Sequence, residues 1–247
     1  VVKGGLMKIL YVFPHPDDES FGPARAISAQ VRAGHAVSLL TLTRGGATKR
    51  RFDLGYTVEQ MGAVRYEEMR QVARTLRLSD LTVLDFPDSG LKELDPRRLE
   101  AVIADHIAAL TPDVVVSYPV HGISGFHDHL VTHAVVKRSF VEQRARGFAG
   151  PKRLAFFTLT GPQAERGSGE HRLSGSTNKE IDALLQVGGE DMDAFQRALD
   201  CYVTYQDTIE STRVRTSFDR LAAFEFFQES FDPPVDDLCA RIGSSGD

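Results

Sequence analysis

The sequence predicts an α/β protein, a Rossmann-like and mostly parallel sheet with helices on both faces and a small irregular C-terminal portion. Three observations predict it. Strand-like and helix-like segments alternate along residues 7–160, the order that builds βαβ units. The strand candidates are near-continuous apolar runs, such as MKILYVF and VVVSY, as strands covered on both faces are. The segments between them space apolar residues at the helical period and carry start and stop signals.

Residues 7–13 end at Pro14 and read as a first, buried strand. Residues 22–33 read as a helix, with Gly34 placed where a helix C-terminus wants a left-handed residue. Residues 36–42, AVSLLTL, form the next strand, and the Gly- and Arg-rich residues 43–57 a loop. Val58, Met61, Val64, Met69, Val72 and Leu76 mark a long helix over about 58–77. LTVLD (81–85) is a third strand, followed by a turn at FPDSG. Asp95-Pro96 gives a helix its N-cap and first residue, and Leu99, Val102, Ile103, Ile107 and Leu110 its apolar face. VVVSY (114–118) is a fourth strand, a helix covers about 129–145, and RLAFFTLT (153–160) is a fifth strand. Residues 161–178 are Gly- and Ser-rich and read as a loop, with a lid over a site as the alternative. A helix at about 190–204 follows. The end is irregular, with apolar clusters around Phe218–Phe231 and a frayed GSSGD. No internal repeat is visible. The expected organisation is a single domain over 1–247, with its core at about 7–160 and a C-terminal lobe at about 178–240.

The 247 residues, 42% hydrophobic and 26% charged, are those of a globular domain. A net charge of −5 gives no reason to expect nucleic acid. Lys49-Arg50-Arg51 reads as a solvated loop, or as a contact for an anionic substrate group. Cys201 and Cys239 lack metal-type spacing and read as reduced thiols in a cytoplasmic protein, with a disulfide as the alternative. No apolar run approaches membrane-spanning length, and the N-terminal stretch reads as a strand rather than a signal peptide, with Met7 a candidate start. The expected partner is a small molecule, and a homo-oligomer is compatible with the composition.

The chemistry concentrates in two clusters. His15-Pro16-Asp17-Asp18-Glu19 follows the first strand, and Phe126-His127-Asp128-His129 lies between the fourth strand and the next helix. In open parallel sheets ligands bind beyond the carboxyl ends of the strands. Consecutive carboxylates repel one another unless a cation sits among them. Zinc takes imidazole nitrogen and carboxylate oxygen, and a catalytic site uses three such ligands. His15 and Asp18 can share one ion across a turn, and His129 can be the third ligand. Asp17 is then the carboxylate beside the metal, placed to take a proton from water. The alternative for each is structural. An HxxD pair is commonly a surface turn, Asp17 could cap the next helix, and Glu19 could complement its dipole. His121 lines the pocket or finishes its loop. His127 supports a ligand or meets substrate. His133 reads as a satisfied helix histidine, and His35, His106 and His171 as structural or exposed.

With PHPDDE after the first strand, Thr43-Arg44-Gly45-Gly46 after the second, a helix of the form RxEE (Arg65-Tyr66-Glu67-Glu68) and a late HDH, the chain resembles the LmbE-like, PIG-L-type zinc deacetylases. The resemblance covers about residues 7–160 well and the rest loosely. It implies a hydrolase that removes an N-acetyl group from an amino sugar or its conjugate, with one Zn2+ ion, other divalent metals being open. It implies His15, Asp18 and His129 as metal ligands, Asp17 as general base, and Arg44 and His127 as substrate-binding. Asp128 would orient an imidazole from behind. Two departures stand out. Many members read HPDH, whose first histidine helps stabilise the tetrahedral intermediate, and here Phe126 takes that place. The late HxSQ-like segment is CYVTYQ (201–206), without its histidine. Outside this class, a two-metal phosphoesterase and a non-catalytic metal- or sugar-binding protein are the alternatives.

Overall fold

The structure, a computed structural model, describes residues 5–147, 150–167 and 172–242. His171 and the terminal GSSGD, read above from sequence, lie outside them. The chain runs β1 (Lys8–Phe13), α1 (Ala24–Arg32), β2 (Ala36–Thr43), α2 (Arg50–Asp53), α3 (Val58–Leu76) and β3 (Asp80–Phe86). It continues through α4 (Pro96–Leu110), β4 (Val114–Ser117), α5 (His127–Ala145), β5 (Arg153–Thr158) and α6 (Gly161–Gly167). It closes with β6 (Ala183–Gln186), α7 (Gly189–Asp200), α8 (Gln206–Ser211), α9 (Val214–Ser217) and β7 (Leu221–Phe226).

The helices begin and end where their local chemistry allows. Asp95 caps α4 by accepting from the Arg97 N–H at 3.0 Å, with Pro96 as the first helical residue. Thr57 and Gln60 form a reciprocal capping box at the start of α3, which satisfies two otherwise orphaned N–H groups. Gly34 follows α1 at φ +96°.

One seven-stranded sheet has the order β3-β2-β1-β4-β5-β7-β6. The first five strands are parallel, and β7 joins antiparallel to both β5 and β6. Side chains alternate along β1. Ile9, Tyr11 and Phe13 enter one apolar layer, with α1, α3 and α7, while Leu10 and Val12 enter the other, with α4 and α5. Each layer removes a face of the sheet from water, which is why these strands read as continuous apolar runs.

The C-terminal portion adds what the sequence pattern hides. Residues 161–167 of the expected loop form α6, and the helix expected to reach 204 ends at Asp200. The segments ALLQ and LAAFEF become β6 and β7. The two cysteines are free. Among the described residues, no helix is long and apolar enough to cross a membrane.

The strand order reverses direction between β1 and β4, which are hydrogen-bonded neighbours (Ile9 beside Val114, Tyr11 beside Val116). A crevice opens at such a switch point, beyond the carboxyl ends of the strands. Both histidine clusters emerge there.

Candidate metal centre

His15 lies in the turn that leaves β1. His129 lies in the first turn of α5, which follows the loop from β4. Donor atoms of His15, Asp18 and His129 all fall within 4.8 Å of one another. Asp18 turns one oxygen to each imidazole, Oδ2 at 3.5 Å from His15 Nδ1 and Oδ1 at 3.3 Å from His129 Nε2. Tetrahedral ligands on ~2.1 Å bonds sit roughly 3.4 Å apart.

The other nitrogen of each ring is already engaged. His129 Nδ1 donates to the Gly122 carbonyl at 2.9 Å, which fixes Nε2 as the nitrogen with the lone pair. Gly122 has φ +62°, and a Cβ there would come within 2.9 Å of the His129 Cβ, so glycine permits this approach. His15 Nε2 lies 3.2 Å from Asp128 Oδ2 and 3.3 Å from Asp88 Oδ1. Asp128 also accepts the Ser89 N–H at 2.8 Å and the Leu91 N–H at 3.2 Å. Two imidazoles and a carboxylate thus converge on one point, an arrangement that a divalent cation can reconcile. The donor set fits a divalent metal with borderline-soft preferences.

The electrostatics agree. Burial would raise the Asp18 carboxyl, but the His129 and His15 imidazoles outweigh it and hold it well below the usual carboxylate range. Burial would lower His15, but its bonds to Asp128 and Asp18 raise it to about 10. Positive charge is favoured at this point. Tyr118, at the end of β4, donates to Asp18 Oδ1 at 2.7 Å and stacks on His129 with centroids 4.3 Å apart.

Asp17 stands beside the candidate ligands at φ +85°, a conformation that costs a non-glycine residue of order 1–3 kcal/mol and needs support. Its N–H donates to Tyr202 Oη at 2.8 Å, and Arg65 Nη2 donates to its Oδ2 at 2.6 Å. Burial pushes the Asp17 carboxyl up to about 6, against the opposing pull of Arg65. Arg65 is itself buried, and it also donates to the Pro16 carbonyl at 2.9 Å. Glu19 does not reach the start of α1. It is fully buried, accepts from Ser20 and Tyr202, and burial raises it to about 7.

These groups open on a cavity of about 540 Å³ lined by His15, Asp17, Asp18, Arg65, Asp88 and His129, with apolar residues beyond them. Phe126 is on its rim, half exposed and edge-on to His129 at 5.7 Å. Arg44 and His127 are not brought to this cavity. The Arg44 side chain points to Asp85 (3.5 Å) and the Tyr66 ring (5.5 Å), because its Cβ packs over Gly62. His127 opens α5 on the solvent side, one residue out of phase with Asp128 and His129. His133 Nδ1 donates to the Tyr118 carbonyl at 2.9 Å, and His133 is a buried helix histidine.

Sequence reasoning did not single out Tyr118, Asp88 or Tyr202. Tyr118 and Asp88 follow the carboxyl ends of β4 and β3, so the strand-end rule that found the histidines could have found them. Tyr202 reaches Asp17 across the length of the chain and leaves no local signal.

Residues 10–140 match the family model described as PIG-L, GlcNAc-PI de-N-acetylase. The chain belongs to this PIG-L, or LmbE-like, family. Family members are metal-dependent, in keeping with the His-Asp-His group. Among curated relatives, a probable N-acetyl-alpha-D-glucosaminyl L-malate deacetylase 2 of Bacillus anthracis is 31% identical over 122 residues, covering 49% of this chain and 54% of that one. The chain spans about half the length of the curated relatives it matches. The fold resembles N,N'-diacetylchitobiose deacetylase from Pyrococcus horikoshii, with TM-score 0.66 and 17% identity over 90% of this chain and 84% of that one. It also resembles 4-carboxy-2-hydroxymuconate hydratase from Pseudomonas putida KT2440, with TM-score 0.65 and 16% identity over 92% and 98%. The fold therefore hosts more than one reaction, and the chemistry must be argued from the site.

Proposed function

We propose that this chain is a zinc-dependent hydrolase that removes an N-acyl group, acetyl in the simplest case, from an amino sugar or its conjugate. The observation that carries the reading is the convergence of His15, Asp18 and His129 on one point with Asp17 beside it. The relatives' names supply the substrate class. A bound zinc ion supplies Lewis acidity toward water and the amide carbonyl. Asp17 takes a proton from the attacking water and returns it to the departing amine. Arg65 and Tyr202 hold Asp17 in its strained turn, and Tyr118 and Asp128 fix the ligands from behind. With Phe126 at the rim, the imidazole that many family members carry there is absent, and a bound metal would be left to supply that share of the charge stabilisation. Contact from Arg44 or His127 belongs to parts of a substrate that extend past the cavity.

A two-ion phosphoesterase fits less well. The neighbouring group, His15, Asp88 and Asp128, shares His15 with the first. Its carboxylates already accept backbone N–H groups from Ala47, Ser89 and Leu91. We further propose that residues 178–240 work as part of the same unit, supported by the β5–β7 pairing. A cytoplasmic location is supported by the two free thiols.

The test is metal analysis of the purified protein together with amine release from N-acetylglucosaminides by wild type and Asp17→Asn. One equivalent of zinc and a loss of activity of at least a hundredfold, on the scale of general-base removal, are expected. Full activity in Asp17→Asn would refute the assignment.

A further inference from the structure

The opposite end of the sheet carries a second group of metal-type donors. His35 stands between α1 and β2, where the parallel strands begin, whereas His15 stands where β1 ends. Donor atoms of His35, Asp237 and Cys239 all lie within 4.8 Å of one another. His35 comes from the first quarter of the chain and the other two from the segment after β7, so no local spacing in the sequence announces the group.

The protein holds that C-terminal segment in place. The Val235 N–H donates to the Asp182 carbonyl and the Leu184 N–H to the Val235 carbonyl, both at 2.9 Å, which joins the segment to β6. Leu238 is fully buried in the main apolar layer. The buried Arg153 guanidinium donates to the Leu238 carbonyl and, at 2.9 Å, to the Ala240 carbonyl. Its charge is met by Glu229, 2.7 Å away, so it does not stand as an unpaired cation beside the group. On the other side, Gly34 at φ +96° turns the chain out of α1 and sets His35 one residue before β2.

The donors are open to an ion. Cys239 is 8% exposed, and among the described residues its Sγ meets no hydrogen-bond partner. A buried thiol is commonly an apolar filler, but a filler has no need of an imidazole and a carboxylate beside it. Asp237 Oδ1 accepts the Cys239 N–H at 2.9 Å, and a carboxylate has lone pairs for both that N–H and an ion. His35 Nδ1 accepts the Met7 N–H at 3.2 Å, a long bond at the partly exposed start of the described chain, which an ion has to displace. Thiolate, imidazole and carboxylate together suit a borderline-soft divalent ion, whereas magnesium and calcium take oxygen ligands.

We propose that His35, Asp237 and Cys239 form a second site, for a thiophilic divalent cation of the zinc class, which fastens the C-terminal segment to the start of β2. The ion takes the place of the thiol proton, which leaves to solvent. In the first centre His15 and His129 are each oriented from behind, by Asp128 and by the Gly122 carbonyl. The one bond on the His35 ring competes with the ion instead. The second site is therefore less organised in advance and fills after the first. Purified protein carries the first ion, and titration brings in the second.

The inference does not rest on the amide-hydrolase reading, and its test needs no turnover. Zinc-loaded protein is titrated with cobalt(II) and followed by absorption. The first centre has no sulfur ligand, so a thiolate-to-cobalt charge-transfer band in the near ultraviolet reports the second site alone. The band is expected to saturate with one added equivalent, to vanish in Cys239→Ser and to persist in Cys201→Ser. Cys239→Ala replaces the serine variant if that one fails to fold. His35→Ala, at a ring that is only partly buried, weakens cobalt binding by about tenfold or more, since loss of even a supporting partner costs about that. Absence of the band in folded wild type overturns the inference. So does a band that survives Cys239→Ser or follows Cys201, or a cobalt affinity that His35→Ala leaves unchanged.

Discussion

Asp128→Asn tests how much of the metal centre is held from behind. Asp128 is 2% exposed and accepts three donors, Ser89 N–H and His15 Nε2 at Oδ2, Leu91 N–H at Oδ1. An amide offers one acceptor oxygen and one NH2. With the oxygen in the Oδ2 place, Ser89 and His15 keep their acceptor, while the NH2 faces the Leu91 N–H. The flipped amide loses two partners instead. Either way at least one buried donor is stranded, at about 1–3 kcal/mol of fold stability. Asp128→Ala goes further and takes away the partner that orients the His15 imidazole altogether, which is expected to weaken metal binding by about 10–100-fold, or roughly 1.4–2.7 kcal/mol. Zinc affinity is read by competition with a chromophoric chelator, and metal-free stability by urea unfolding. Asp113→Asn, at a partly buried carboxylate that accepts the Lys8 N–H at the far end of β1, serves as a control for general destabilisation. A folded Asp128→Ala protein whose zinc affinity stays within twofold of wild type would show that His15 needs no support from α5, and would refute the role given to Asp128.

Other consequences are simpler to read. Tyr202→Phe removes the hydroxyl that joins the Asp17 N–H to Glu19, and the Glu19 Oε2 already lacks a partner; a stability loss of about 1–3 kcal/mol in urea and a lower kcat are expected. Chelation abolishes amine release and zinc restores it, and at a hundredfold excess over Kd the ion raises stability by about 2.7 kcal/mol, visible as a Tm shift. Asp191 is buried, and although burial would raise its carboxyl, bonds from Arg32, Gly188 and Ser28 hold it below the usual value. A carboxyl lowered on folding contributes stability above its unfolded pKa of about 3.9 and loses it as pH falls through the folded value. The stability gap between wild type and Asp191→Asn, measured by urea unfolding, is therefore full at pH 6 and narrows as the pH drops below about 4.

The five parallel strands and the two histidine clusters were legible because each is written locally. An apolar run shows a doubly covered strand, and a His-carboxylate group after it marks a strand end. β6 and β7 were hidden for the opposite reason. ALLQ is four residues long, and LAAFEF owes its place to pairing with β5 and β6 rather than to a pattern of its own. The supports of Asp17 were hidden too. Arg65 is visible as part of a helix motif, but its grip on Asp17 depends on how α3 packs under the turn at Pro16. Arg44 and His127 show the limit from the other side: a motif places a residue in a loop or a first turn, and backbone direction then decides where its side chain points.

β1 and β4 lie side by side in the sheet, yet the proposed metal ligands beyond their ends bracket residues 15–129 of the chain. An ion held by both ends acts as a clasp on that whole stretch. A covalent link closing a loop of about a hundred residues withdraws roughly 4–5 kcal/mol of chain entropy from the unfolded state, and a metal clip draws on the same reserve. The centre proposed to act on the amide bond would thus also buckle the two halves of the parallel sheet together at their seam. Losing the ion would loosen the β1–β4 junction before it touched the outer strands.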